Sequence, residues 1–211
     1  MKAIVRERYG SPDVLELRDV DKPVLDDDSV LVKVRAASIN AYDWHMMRGL
    51  PFLARMSEGL RKPKSIAMGV DVAGQVEAVG KNVTHLRPGD EVFGARSGAL
   101  AEYVRGSAKS FLVPKPAGLT FEQAAAMPMA ATTALQGLRD RGQLKAGQTV
   151  LINGAAGGVG TFAVQIAKAL GAHVTAVCST RNVDMVRSIG ADEVVDYTRE
   201  DFTKRGQART T

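Results

Sequence analysis

A cluster of glycines between two periodic segments constrains this chain more than any other feature. Thr149–Ile152 reads as a strand, and Asn153 leads into Gly154, Ala155, Ala156, Gly157, Gly158, Val159 and Gly160. Val159, Phe162, Ile166 and Leu170 then recur at spacings of three, four and four, which is one face of a helix, and Gly171 stands where that helix stops. Strand, glycine turn and helix together have a physical use. The first amides of a helix lack intrahelical partners, and a turn without side chains lets a diphosphate come against them. A Cβ at the close-approach positions would block the contact. The spacing is Gly-x-x-Gly-x-x-Gly instead of the commoner Gly-x-Gly-x-x-Gly, but strand and helix supply the context that a glycine pattern alone lacks. The competing explanation is a tight βα turn with no ligand.

The alternation continues. His173–Cys178 reads as a strand, Asn182–Ser188 as a short helix and Glu193–Asp196 as a strand, a β-α-β-α-β run that calls for a parallel sheet. The end of the second strand bears on which dinucleotide such a turn takes. An NAD-type site places an acid there, to accept from the ribose 2′-hydroxyl. Between Val174 and Val183 there is none; the segment reads Cys178-Ser179-Thr180-Arg181-Asn182. Hydroxyls such as Ser179 and the Arg181 guanidinium suit a 2′-phosphate, so NADP(H) is expected over NAD(H). Arg181 as a solvated loop charge is the plainer alternative. Cys178 reads as a small buried strand residue, since nothing places a histidine beside it.

Before about residue 120 the pattern differs. Val30, Val32 and Val34 alternate with Leu31, Lys33 and Arg35; Val70 to Val79 forms a second extended stretch; Glu91–Phe93, Ala101–Val104 and Phe111–Val113 form three more. Short strands punctuated by glycine and proline predict a β barrel or sandwich. Thr120 and Gln123 make a capping box, Pro128 ends or kinks the helix it starts, and a second helix follows over about 129–140. The expected domains are therefore 1–120 and 121–211. With 45% apolar and 24% charged residues, the composition is that of an ordinary globular chain and not of a disordered one. The single cysteine excludes a disulfide framework and any multi-cysteine zinc site. No apolar run approaches the about 18 residues that cross a bilayer, and Met1-Lys2 leads straight into alternating residues with no signal peptide. The expectation is a cytoplasmic protein without stable membrane insertion. The net charge of +5 would suit nucleic acid, an anionic surface or an anionic cofactor. No basic stretch carries the interleaved stacking aromatics that bind single strands, so no nucleic acid is expected.

Several segments carry a resemblance. Ala37-Ser-Ile-Asn40-Ala-Tyr42-Asp43, Gly69-Val-Asp71-Val-Ala-Gly74, Pro88-Gly89-Asp90-Glu-Val-Phe93-Gly94, Ala101-Glu-Tyr-Val104 and Asn153-Gly-Ala-Ala-Gly-Gly-Val-Gly160 stand in the order of the medium-chain dehydrogenase/reductase superfamily. The chain resembles its zinc-free quinone oxidoreductase branch. That resemblance implies a GroES-like β-barrel domain followed by a Rossmann dinucleotide-binding domain. It also implies NADPH-dependent hydride transfer to a small-molecule quinone, enone or carbonyl. Zinc members carry Cys-x-Ser/Thr-Asp-x-His, and this chain has Asn40 in the cysteine position of Asn40-Ala41-Tyr42-Asp43-Trp44-His45. Zinc members also carry Gly-His-Glu, and here Gly69-Val70-Asp71 stands instead. A thiolate and an imidazole are thus absent from a first shell of about three protein ligands, and no metal is expected. A zinc-type alcohol dehydrogenase relative is the runner-up.

The resemblance also assigns roles. Tyr42 takes the place of the hydroxyl in the zinc enzymes' proton relay and His45 that of the relay histidine, so Tyr42 is expected to donate to the substrate oxygen and His45 to be a proton source. Packed or surface residues are the alternative for both. Asn40 and Asp43 would line the nicotinamide side. Thr132 and its neighbour Thr133 match the position that touches the nicotinamide ribose or phosphate, with core helix packing equally open; Tyr197 matches a tyrosine near the 2′-phosphate, or is a strand-end residue. Residues 48–64 hold Arg48, Arg55, Arg61, Lys62 and Lys64 against one acid, Glu58, with Leu50, Phe52, Leu53, Met56 and Leu60 between them. A substrate lid, a surface-docking loop and a folded-back loop all stay open. Family members continue well beyond this length, so a fragment, a frame-shifted product, half of a split protein or a non-catalytic nucleotide-binding remnant are further readings. A homodimer is expected only if the fold is completed.

Overall fold

The structure, a computed structural model, describes residues 1–107 and 111–203. Residues 204–211, whose sequence Lys-Arg-Gly-Gln-Ala-Arg-Thr-Thr reads as a tail without an apolar strand, lie outside the described ones. The chain divides into two compact units, Met1–Met129 and Ala130–Thr211.

The first unit begins with an antiparallel hairpin of β1 (Lys2–Val5) and β2 (Glu16–Asp19). Its main element is a five-stranded antiparallel sheet. The strands are β3 (Ser29–Ser38), β4 (Asp71–Val79), β5 (Glu91–Ala95), β6 (Tyr103–Ser107) and β7 (Phe111–Pro114), in the order β6-β3-β4-β5-β7. Val30 and Val32 are buried in one core with Val72, Val76, Val92 and Val104, but Leu31 between them is buried too, so the expected alternation with an exposed face holds only from Lys33 onward. Two register shifts, at Leu31/Val32 and Val34/Ala36, bend β3 along β4. One expected strand is corrected. Ala101–Val104 does not start the strand; Ala101 makes a single bridge to Ala3, and regular pairing begins at Tyr103. Two helices interrupt the sheet connection, α1 (Ala41–Arg48) and the single turn α2 (Arg55–Glu58).

Thr120 and Gln123 form the expected capping box at the start of α3 (Phe121–Ala125), the Gln123 amide donating to the Thr120 hydroxyl at 3.2 Å. Ala124 and Ala125 bury against Ala73 of β4. That packing is why α3 belongs to the first unit and the division falls after Met129 instead of at residue 120. Pro128 opens α4 (Pro128–Leu135) at its first position, where a missing N–H costs nothing. The helix expected to run to 140 instead widens into a π turn over Gln136–Arg141, closed by the Gly142 amide on the Gly137 carbonyl at 2.8 Å.

The second unit is a parallel sheet of β8 (Thr149–Asn153), β9 (His173–Cys178) and β10 (Glu193–Asp196) in the order β10-β9-β8. α5 (Gly158–Ala169) and α6 (Val183–Ser188) supply the crossovers, with Thr180–Asn182 as a 3₁₀ turn where the sequence predicts the start of α6. The buried face of α5 is also corrected. Gly160, Ala163, Val164 and Ala167 are its deepest residues, while Phe162 and Ile166 flank the core and Val159 is exposed. Small side chains let the helix lie close on β8 and β9, leaving the larger ones to seal the margins. Cys178 is buried in this core, as expected. Among the described residues no helix is long and apolar enough to cross a membrane.

Candidate functional site

The glycine turn caps the C-terminal end of β8, where open α/β sheets bind ligands. Gly157 is the N-cap of α5, and its own amide turns back to the Gly154 carbonyl at 2.9 Å. The Thr161 amide closes the first helical bond on Gly157. The amides of Gly158, Val159 and Gly160 lie between these and donate to no acceptor among the described residues. The glycines divide by function. A Cβ on Gly160 would sit 2.2 Å from the Gly154 carbonyl oxygen, so this glycine lets the helix start against the turn. A Cβ on Gly158 would meet nothing within 4 Å, and the same is true of Gly154, whose φ of +73° also requires glycine. The space over Gly154 and Gly158 is open, and unpaired amides begin the helix beside it, a combination with room and donors for a diphosphate. Ala155 is buried and its amide donates to the Val177 carbonyl at 3.0 Å, pinning the turn to the sheet.

The neighbouring strand ends complete this edge. Asp196 of β10 pairs with Cys178 of β9, and the Tyr197 amide donates to the Cys178 carbonyl at 3.1 Å, so Tyr197 follows β10 beside Ser179. Tyr197 is exposed and Ser179 half-buried, its hydroxyl accepting from the Asn182 side chain at 3.1 Å. Arg181 is exposed and makes no ion pair or hydrogen bond among the described residues. The acid that ends β10 is occupied: Asp196 accepts from the hydroxyls of Thr180 and Thr198 and lies 3.5 Å from Arg199. These bonds hold its carboxyl below its ordinary value. Thr132 is exposed on α4, whose buried side is Ala130 and Ala134.

In the first unit, Asn40, Tyr42, Asp43 and His45 gather at α1, and the sequence misses the group at their centre. Asp71, the first residue of β4, is 0% exposed. Its Oδ2 accepts from the Asn40 side chain at 3.1 Å and the Ser38 hydroxyl at 3.2 Å, and the Met129 amide donates to both its oxygens at 3.1 Å. Asn40 is the N-cap of α1, and its amide donates to the Asp43 carboxylate at 2.8 Å. Burial pushes both carboxyls above their ordinary values. The Met129, Asn40 and Ser38 hydrogen bonds oppose this for Asp71, while the charge of Asp71 adds to it for Asp43. A lone acid inside the apolar run Val70-Asp71-Val72-Ala73 is the signal that would have found it.

Tyr42 and Met46, one turn apart on α1, line a small cleft with Arg6, Glu58, Met68 and Gly69. The Tyr42 hydroxyl has no hydrogen-bond partner among the described residues. Burial raises its pKa, Glu58 and Asp43 adding to the effect and Arg6 opposing it, so the phenol keeps its proton at neutral pH. Arg6 was also missed. It is buried, its Nη1 donates to the Met46 carbonyl, and its Nε has no acceptor. His45 is not among the residues lining this cleft. Its Nδ1 faces the Leu50 carbonyl at 2.9 Å and its ring meets Trp44 edge-on. In the neutral ring that contact puts the hydrogen on Nδ1 and leaves Nε2 as an acceptor. Among the described residues no three of His, Cys, Asp and Glu converge as metal ligands.

Known proteins resemble this chain in sequence and fold. A family model described as the alcohol dehydrogenase GroES-like domain matches residues 26–117, and one described as zinc-binding dehydrogenase matches residues 158–211. The mitochondrial NAD(P)H oxidoreductase RTN4IP1 of Mus musculus is 40% identical over 217 residues, covering 94% of this chain and 54% of that protein. The chloroplastic NADPH-dependent alkenal/one oxidoreductase of Arabidopsis thaliana is 40% identical over 215 residues, covering 96% and 54%. The Escherichia coli quinone oxidoreductase solved with NADPH superposes with a TM-score of 0.86 at 30% identity, covering 97% of this chain and 61% of that one. The chain belongs to the medium-chain dehydrogenase/reductase superfamily, in its quinone-oxidoreductase-like branch. It spans about half the length of the curated relatives it matches.

Proposed function

We propose that this chain carries the coenzyme cradle and substrate-facing residues of an NADPH-dependent, zinc-independent oxidoreductase acting on a quinone, enone or carbonyl. The observation that carries this is the glycine turn, with three unpartnered amides under open space at the C-terminal end of β8. When bound, the reduced nicotinamide supplies the hydride. The residues of this chain do the rest. Gly158, Val159 and Gly160 donate their amides to the diphosphate. Arg181, Ser179 and Tyr197 meet the 2′-phosphate, the unpaired guanidinium supplying the charge. Thr132 belongs to the same proposal as a contact of the nicotinamide ribose. Tyr42, held protonated, donates its O–H to the substrate oxygen as negative charge develops there. Asn40 and Asp43 fix the start of the helix that presents it, and His45 braces its far end through Leu50.

Zinc independence rests on the donor set. Asn40 occupies the thiolate position, and the oxygens of Asp71 are taken up by Met129, Asn40 and Ser38. The Arabidopsis relative is an NADPH-dependent alkenal/one oxidoreductase and the Escherichia coli quinone oxidoreductase was solved with NADPH, which supports the same reading. A cytoplasmic setting belongs to the proposal and draws on the single, buried cysteine. The test is oxidation of NADPH and NADH, followed by nicotinamide absorbance, across a panel of quinones and enones. Turnover with NADPH preferred is the expected result. Arg181→Ala should raise KM for NADPH about ten-fold or more and leave KM for NADH unchanged. A preference for NADH, or equal effects on both coenzymes, overturns the NADPH assignment. Heat and spectral changes on NADPH titration without turnover favour a binding protein instead.

A further inference from the structure

We propose that the segment from Leu50 to Ile66 is a docking surface for an anionic lipid bilayer. Its apolar side chains face outward: Phe52 is 60% exposed, Leu53 74%, Met56 72% and Leu60 60%, with Leu50, Ile66 and neighbouring Trp44 also exposed. This is not the slack of a loose loop. The Tyr9 hydroxyl donates to the Gly59 carbonyl at 2.8 Å, Arg55 Nε donates to the Gly49 carbonyl at 2.9 Å, and the Lys64 amide donates to the Glu58 carbonyl at 2.7 Å. The Arg55 guanidinium lies over the Tyr9 ring, 4.4 Å from its centroid. The backbone is held from beneath, and the apolar residues are what it presents.

The exposed charges on the segment have one sign. Arg61, Lys62 and Lys64 are exposed and form no ion pair among the described residues. Lys62 feels Glu7 only at a distance, because that carboxylate is bound to Arg18 at 2.6 Å. The one acid of the segment, Glu58, is half-buried and lines the Arg6 cleft. Exposed apolar side chains beside unpaired cations match a surface that is anionic outside and apolar beneath. Shallow insertion of Phe52, Leu53, Met56 and Leu60, with the cations among the headgroups, meets both requirements.

The test is co-sedimentation of the whole chain with vesicles of phosphatidylcholine alone and of phosphatidylcholine mixed with phosphatidylglycerol. Binding to the mixed vesicles, weakened by salt and much reduced on phosphatidylcholine alone, is expected. The triple variant Arg61→Glu, Lys62→Glu, Lys64→Glu should lose about a hundred-fold in affinity. The triple variant Phe52→Ser, Leu53→Ser, Met56→Ser should lose binding even at low salt. All six side chains are exposed, and circular dichroism and melting curves verify that the variants fold. Equal sedimentation of wild type with both vesicle types, none with either, or undiminished binding by both variants overturns the proposal. So does a wild-type dimer on size exclusion that the serine variant converts to monomer without any lipid binding, since a second copy then covers the patch.

Discussion

At the scale of single residues, two side chains separate chemistry from scaffold. Tyr42→Phe removes the hydroxyl without disturbing any hydrogen bond of the fold. Turnover should fall by about 100-fold or more, the typical worth of one transition-state donor, while NADPH affinity stays the same. An unchanged rate removes Tyr42 from the mechanism. Asp71 acts on the scaffold. Its folded-state pKa lies above its unfolded value of about 3.9, so the native state holds the proton more tightly. The stability this gives is fully present below the unfolded value and is lost as pH rises through the folded one. Urea midpoints measured from about pH 4 to pH 7 should therefore drop less steeply with rising pH in Asp71→Asn than in wild type; parallel slopes would contradict the assignment. Asp71 stood out in the sequence only as a lone acid in an apolar run, and Arg6 not at all, because it follows β1 among the charged Glu7 and Arg8 and is buried by tertiary packing. Tyr42 was legible only through its motif, since exposure and pKa depend on neighbours that arrive from Glu58 and Arg6.

At the scale of the element, the glycine turn gives the clearest contrast. Gly160→Ala drives a methyl into the Gly154 carbonyl at 2.2 Å, an overpacking against backbone that should cost about 1–3 kcal/mol and lower the melting midpoint. Gly158→Ala meets open space and exchanges glycine for the better helix former, so the midpoint should hold or rise slightly. NADPH binding, measured by calorimetry, should weaken in Gly158→Ala nonetheless, because the methyl occupies the cradle. If both variants bind NADPH as wild type does, the turn is only a turn. Strand, turn and helix were legible from Thr149 to Gly171 because glycine spacing and helical period agree there. The buried face of α5 was not. Periodicity counts large side chains, whereas a close helix–sheet approach selects Gly160, Ala163 and Ala167 for being small. The π turn after Leu135 likewise leaves no mark in hydrophobic spacing.

For the whole molecule, two units with separate cores predict two unfolding steps. Calorimetric melting of the full chain should resolve two transitions. NADPH at about 100 times its Kd should stabilise one of them, that of the unit after Met129, by about 2.7 kcal/mol. A shift of neither transition, or of the first unit alone, contradicts the placement of the cradle. The β-rich and α/β halves were legible from the change of pattern near Pro114-Lys115-Pro116. The position of the division was not, because the packing of Ala124 and Ala125 on Ala73 joins residues far apart in the chain. The solitary cysteine gives the second unit a built-in clock. Cys178 is sealed in its core and burial pushes its thiol above the ordinary value, so an alkylating reagent can mark it only when that unit opens. The pace of modification thus times the breathing of the nucleotide unit alone, while the β-rich unit, having no thiol, stays silent.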